Sequence, residues 1–407
     1  MPFKVSNYVN AIVVIAALGY FVDIYDLILF SIVRMPSLRS IGLSGDLLFK
    51  NGVFLLNMQM AGMLLGGLLW GIVGDKKGRV SVLFGSILLY SSANIANGFV
   101  HSVTTYGILR FIAGIGLAGE LGAGITLVAE SLPKHTRGVG TAIVGGIGIA
   151  GAVFAGLAAE YFGWRTAYFL GGGLGMALLL LRVGAFESGL FETVAKDSTV
   201  ERGSLRLLFS SKERIVRYVR SILIGLPTWY VIGILATFSP EIAAAVGVPG
   251  AIVGGRVIMI VYSGIVVGDL VCGALSQWWK SRKKVVRFFL FLTVVSVAGY
   301  LYFPFVSPRQ FYLASFFIGL SVGYWALFVT IAAEQFGTNL RATVATTVPN
   351  FIRGSVIPMT LGFGAMKDRI GITHSTIVVG AICFAIAFSS LHFMKDTFHT
   401  DLDYIET

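Results

Sequence analysis

The sequence predicts an all-α membrane protein of twelve transmembrane helices arranged as two pseudo-symmetric six-helix bundles. Three observations lead there: 56% of residues are hydrophobic and only 13% charged, apolar runs of spanning length recur along the whole chain, and the second half repeats the first. Ordinary globular domains carry about 25% charged residues, so lipid is the expected solvent. A helix crossing a ~30 Å hydrocarbon core needs about 20 mostly apolar residues, and in lipid it must satisfy its backbone polar groups internally.

Such runs fall at 11–33, 48–72, 80–99, 106–129, 139–161, 166–183, 219–238, 252–277, 286–305, 310–333, 342–366 and 375–394. The first contains Asp23 and Asp26 and precedes further runs, which marks a retained span rather than a cleaved signal peptide. Lys and Arg concentrate at the termini and after the even-numbered runs, which predicts that both termini face the cytoplasm. The net charge of +11 sits in juxtamembrane clusters such as Lys280, Arg282, Lys283, Lys284 and Arg287. That pattern suits anionic lipid headgroups, not nucleic acid. Cys272 and Cys383 lie within apolar runs and form neither a disulfide framework nor a metal site.

Shifted by about 204 residues, Ala129-Glu130 and Arg137 fall on Ala333-Glu334 and Arg341, both with the spacing Glu-x6-Arg. At nearly the same offset, Gly71-Ile-Val-Gly74-Asp75-Lys76-Lys77-Gly78-Arg79 falls on Gly273-Ala-Leu-Ser276-Gln277 and the basic cluster beyond it. The repeat divides the chain into a bundle at 1–183, a polar cytoplasmic linker at 184–218 and a second bundle at 219–407. Halves joined in this way place a binding site near the membrane midplane, at their interface.

The stretch Gly71-x-x-Gly74-Asp75-Lys76-x-Gly78-Arg79 resembles the signature loop of the major facilitator superfamily, and Arg110-x3-Gly114-x-Gly116-x2-Gly119 resembles its fourth-helix motif. Phe21-Val-Asp23-Ile-Tyr25-Asp26 and Gly116-Leu-Ala-Gly119-Glu120 are similar to the phosphate:proton and metabolite:proton symporter branches and to synaptic-vesicle-protein-like transporters. The resemblance implies the major facilitator fold, a gating loop around Gly71, Asp75, Gly78 and Arg79, and a proton-coupling role for Arg110. Gln277 stands where the second signature loop would carry its acid. Leu121 and the uncharged run Leu226-Pro227-Thr228-Trp229-Tyr230 depart from the phosphate symporters, against inorganic phosphate as substrate.

An ionisable group at mid-membrane is penalised by about 2.5–3.5 kcal/mol even on insertion scales, so each is a functional candidate. Asp23 and Asp26 share a helix face, and close like charges suit proton capture and release. With Glu120 and Arg110 they form the expected proton-coupling set, Arg110 being placed to meet Asp26. Arg353, on a polar stripe with Thr346, Pro349 and Asn350, is the expected anion site, because a planar, permanently charged fork matches a carboxylate or phosphate. Tyr324 and Trp325, at the repeat position of Glu120, and Trp229 and Tyr230, beside Pro227, complete the expected binding surface. Packing is the competing reading for these aromatics.

The expected function is proton-coupled uptake of a small organic anion by alternating access, with a single chain sufficient and no metal or other cofactor. Facilitated diffusion or proton-driven efflux of a neutral or cationic solute is the alternative, and a membrane ligand sensor the alternative of another class. The absence of a Gly-Pro step in the glycine-rich fifth run speaks against a drug antiporter. No metal-spaced cluster or nucleophile motif lies within the runs, against an enzyme.

Overall fold

The computed structural model describes residues 3–77, 79–120, 137–187, 205–398 and 406, and the described backbone is helical throughout most of each of the twelve apolar runs. The first half contributes α1 (Phe3–Ser40), α2 (Asp46–Lys77), α3 (Arg79–Asn97), α4 (Val103–Leu117), α5 (Arg137–Phe162) and α6 (Trp164–Glu187). The seventh run is built in pieces: α7 (Lys212–Leu223), α8 (Leu226–Tyr230), a π-helical turn at Val231–Ala236 and α9 (Ser239–Ala245). Then come α10 (Gly254–Trp279), α11 (Arg282–Tyr302), α12 (Pro308–Ser321), α13 (Trp325–Glu334), α14 (Thr338–Gly354) and α15 (Val356–His392). Among the described residues nine helical stretches are long and apolar enough to span a membrane. One of them, 339–392, runs over α14 and α15, and α15 is itself two helices joined at a kink where Gly371 leaves the helical path at φ +79°. Helix also extends into both ends of the expected linker, to Glu187 on one side and from Lys212 on the other.

The repeat is visible in how the backbones touch. In the first half Gly62 and Gly66 of α2 lie against α4, where an added Cβ would come 2.1 Å from the Phe111 carbonyl oxygen and 2.4 Å from that of Ile115. In the second half Gly264 and Gly268 of α10 lie against α12 in the same way, 2.3 Å from the Phe316 oxygen and 2.2 Å from that of Leu320. Only glycine permits such an approach, which replaces the hydrophobic drive that lipid does not supply.

The same two helical paths are interrupted at corresponding places. The fourth run turns at Ala118–Gly119, and the tenth leaves the helix over Val322–Tyr324. Each break exposes backbone groups that side chains take up. The Trp70 indole donates to the Ile115 oxygen at 2.6 Å, and Asn350 Nδ2 donates to the Ala118 oxygen at 2.9 Å. In the other half Asp269 accepts from the Ala326 N–H at 3.1 Å. Broken helices at membrane depth are tolerated only where protein covers them or a cavity adjoins, and paired breaks in the two halves point to the binding region.

The halves are clamped at the end bearing residues 41–45 and 246–253. Arg34, fully buried, donates to Glu241 at 2.7 Å and lies 4.5 Å from the centroid of the Phe238 ring. Lys367 pairs with Asp46, Arg256 donates to Glu160 at 3.1 Å, and Thr360 donates to Asn57 at 2.7 Å. Phe49 packs on Phe238 and Phe363 with centroids 5.0 and 5.5 Å apart.

Beyond Gln277 the second half holds a largely buried ion pair of its own. Arg282 donates to both carboxylate oxygens of Glu334, at 2.6 and 2.7 Å, and the Thr397 hydroxyl donates to the same group at 2.7 Å.

Candidate functional site between the bundles

α1 is the spine of the site. Its Asp23 and Asp26 lie at i and i+3 as predicted, and both are fully buried, but their charged neighbours differ. Asp23 feels the charges of Arg353 in the second half and of Glu120 and Arg182 in the first. Asp26 faces into the first bundle, where Gly171 of α6 leaves room for its carboxylate; a Cβ there would come 2.2 Å from Oδ1. None of the four carboxylate oxygens has a hydrogen-bond partner among the described residues.

Arg110 does not reach Asp26 directly. Its Nη1 donates to Asn94 Oδ1 at 3.2 Å, and its guanidinium lies 5.7 Å from the ring centroids of Phe30 and Tyr168, leaving Nε and Nη2 without partners. Asn94 thus stands where the direct ion pair was expected.

Glu120 is not an open acceptor. Arg182 of α6 donates to both of its oxygens, one at 3.0 Å and the other closer, and both residues are almost wholly buried. Gly19 of α1 packs directly on this pair; a Cβ there would collide with both side chains. The sequence reading missed Arg182 because it ends the sixth apolar run, where a cation passes for a positive-inside residue. The available signal was a lone charge directly after Leu178–Leu181.

Arg353 is fully buried near the end of α14, at the central interface. Its Nη1 donates weakly to Asn350 Oδ1 at 3.4 Å, its guanidinium lies 5.8 Å from the Trp229 ring centroid, and Nε has no partner. Trp229 meets Trp325 edge-to-face at 6.2 Å. The buried phenols of Tyr20 and Tyr262 both feel the charges of Arg353 and Asp23. A guanidinium, a carboxylate and four aromatic side chains therefore converge between the halves.

Two expected members point elsewhere. The Tyr324 hydroxyl donates to the Ile224 oxygen at 3.1 Å inside the second bundle, and the Tyr230 hydroxyl donates to the Thr376 oxygen at 2.9 Å. Trp229 and Trp325 meet each other beside Arg353, while the Tyr324 and Tyr230 hydroxyls bond to backbone within the second bundle. Of the expected gating loop, Gly71 lies within the last turns of α2, while Gly78 and the side chains of Asp75 and Arg79 lie outside the described residues.

A buried, unpaired charge is penalised by several kcal/mol. The arrangement leaves Arg353 Nε and both Asp23 oxygens without hydrogen-bond partners among the described residues, so it can accept an anion at the one and a proton at the other.

This fold, with its repeated halves, is that of a membrane transporter. The family model of the Major Facilitator Superfamily matches residues 16–348, and the chain belongs to that superfamily. It is 25% identical to the cis,cis-muconate transport protein of Acinetobacter baylyi over 94% of this chain and 93% of that one. It is 33% identical to the niacin transporter NiaP of the same organism over 29% of this chain and 28% of that one. The xylose transporter XylE from E. coli superposes with a TM-score of 0.72 at 15% identity, covering 97% of this chain and 98% of its own.

Proposed function

We propose that the chain is a proton-coupled importer of a small organic anion, a carboxylate on a flat unsaturated framework, moved by alternating access. The observation that carries this reading is Arg353, fully buried, unpaired at Nε and 5.8 Å from the Trp229 ring centroid, with the Asp23 carboxylate, which has no hydrogen-bond partner among the described residues, buried in the same interface. A carboxylate lying between Trp229 and Trp325 meets the guanidinium fork, and a proton on the Asp23/Asp26 pair keeps the buried charge balanced as the loaded site changes sides. The relatives named for niacin and for cis,cis-muconate support the substrate class.

In this reading the protein works as a monomer in a bacterial inner membrane with both termini cytoplasmic, and the clamp at 41–45 and 246–253 closes the outer face. The test is uptake of radiolabelled nicotinate and cis,cis-muconate into proteoliposomes under an acid-outside pH gradient. At least one accumulates, and a protonophore abolishes the gradient-driven part. Uptake of neither, or uptake indifferent to the protonophore, overturns the proposal.

A further inference from the structure

The clamped end holds a guanidinium that closure does not fully use. Arg34 of α1 is wholly buried among three elements. Its side chain fills the space left by Gly52 of α2, where a Cβ would come 2.9 Å from Cδ and 3.1 Å from Nη1, its guanidinium lies 4.5 Å from the Phe238 ring centroid, and Nη2 donates to Glu241 at 2.7 Å. Glu241 keeps 18% of its side chain exposed, so the carboxylate has access to water and the arginine has almost none. Nε and Nη1 of Arg34 have no partner among the described residues. Buried donors are rarely left so. A guanidinium can meet a carboxylate through two parallel bonds; here one nitrogen meets one oxygen, and the rest of the fork is unused.

The surroundings of Arg34 repeat the chemistry of the central site one layer away. Phe49, Phe238 and Phe363, all buried, pack with centroids 5.0, 5.5 and 6.0 Å apart, and Lys367 lies 4.2 Å from the Phe49 ring. Arg353 beside Trp229 and Trp325 has the same composition, an incompletely bonded guanidinium against aromatic rings. Two helices give similar spacings between the sites. Along α1, Arg34 follows Asp23 by eleven residues, about 16 Å, and at about 100° per residue returns to within roughly 20° of the same face. Along α14 and α15, Phe363 follows Arg353 by ten residues, about 15 Å. Between the two levels Thr360 bonds to Asn57 across the halves, so the site at Arg34 is a separate layer closed off from the central one.

We propose that Arg34 is a second carboxylate-binding residue, an outer station at which the substrate's carboxylate replaces Glu241 on the guanidinium before passing inward to Arg353. The ligand class is that of the central site: the carboxylate sits on the Arg34 fork, and the flat unsaturated framework lies against Phe238 and its two neighbouring rings. Exchange of one carboxylate for another keeps the guanidinium compensated while the clamp opens. Glu241 already borders water and is solvated when released. The inference rests on the anion-import reading above.

Arg34→Gln and Glu241→Gln test it together, because both break the same ion pair and only the first removes the fork. Initial rates of nicotinate and cis,cis-muconate uptake into proteoliposomes give KM, and thermal unfolding of the purified proteins reports the fold. Arg34→Gln raises KM roughly tenfold or more, the loss of a charge-assisted contact, whereas Glu241→Gln leaves KM at or below the wild-type value. Arg34→Lys, which keeps a cation opposite Glu241 and hence the wild-type unfolding temperature, also raises KM several-fold, since an ammonium cannot form the fork. KM raised alike in both Gln variants, or a wild-type KM in Arg34→Gln or Arg34→Lys, overturns the outer site and leaves the import reading intact. Absence of uptake of both carboxylates by wild type overturns both.

Discussion

In the proposed reading Arg353 serves binding, whereas Glu120, paired with Arg182, serves the fold. Among the described residues Arg353 makes one weak hydrogen bond, so Arg353→Ala removes little structure while taking away the proposed charged partner of the substrate. Charge-assisted hydrogen bonds contribute about 1.5–3 kcal/mol, so nicotinate or cis,cis-muconate affinity falls by roughly ten- to a hundredfold in titrations of purified protein. Arg353→Lys restores little, since an ammonium lacks the bidentate fork. Unchanged affinity in both variants removes Arg353 from the site. Glu120 behaves in the opposite way. Glu120→Gln strands the buried guanidinium of Arg182, and breaking such a pair destabilises by about 3–5 kcal/mol, a large drop in thermal unfolding temperature. The double variant Glu120→Gln/Arg182→Met recovers most of it; failure to recover shows that the pair does not act as a unit. Asp23, Asp26, Glu120 and Arg353 were legible in the sequence because charge inside an apolar run is conspicuous. Asn94 was not, since uncharged polar residues are common in spans and only packing reveals that it meets Arg110.

Among the elements, the broken tenth run is the most informative. The Asp269 carboxylate holds the N-terminus of α13 through the Ala326 N–H, and Trp325 starts that helix. Asp269 therefore positions an aromatic wall of the site from a distance. Asp269→Ala raises KM for the carboxylate several-fold and shifts the intrinsic fluorescence response to ligand, whereas Asp269→Asn, which keeps an acceptor oxygen, restores KM. Equal KM in the two variants contradicts this role. The close contact of α10 and α12 makes a second claim: Gly264→Val overpacks against the Phe316 oxygen and lowers stability by about 1–3 kcal/mol, read as a fall in thermal unfolding temperature. The tail adds a pH-dependent element. Partial burial pushes the Asp396 carboxyl up, but hydrogen bonds from Ser281 and from the Phe398, Arg282 and Lys283 backbone outweigh it and hold the group below its ordinary value. That stabilisation is present above the unfolded-state value and is lost as pH falls through the lower folded one. Asp396→Asn accordingly destabilises at neutral pH and not under acid. The spans themselves were readable from hydrophobic runs, but the breaks at Ala118–Gly119 and Val322–Tyr324 contain no proline. Their signal lies in tertiary capping by Trp70, Asn350 and Asp269, which no local pattern carries.

For the whole molecule, the two halves meet around a charge balance and are closed at one end. Three ion pairs between halves, Arg34–Glu241, Asp46–Lys367 and Arg256–Glu160, lie among the described residues at the clamped end. Only the first is well buried; the other two are exposed enough to be screened by salt. Opening that end during transport thus turns chiefly on Arg34 and Glu241. The repeat legible in Glu130 and Glu334 announced two halves, but which end they close is a property of side chains far apart in sequence, such as Asn57 with Thr360. The central claim is that the anion at Arg353 and the proton near Asp23 travel together. Its most direct test compares counterflow exchange with pH-driven accumulation of nicotinate and cis,cis-muconate in Asp23→Asn proteoliposomes. The account predicts near wild-type exchange with accumulation abolished, because exchange needs no net proton movement; full accumulation in Asp23→Asn would contradict it.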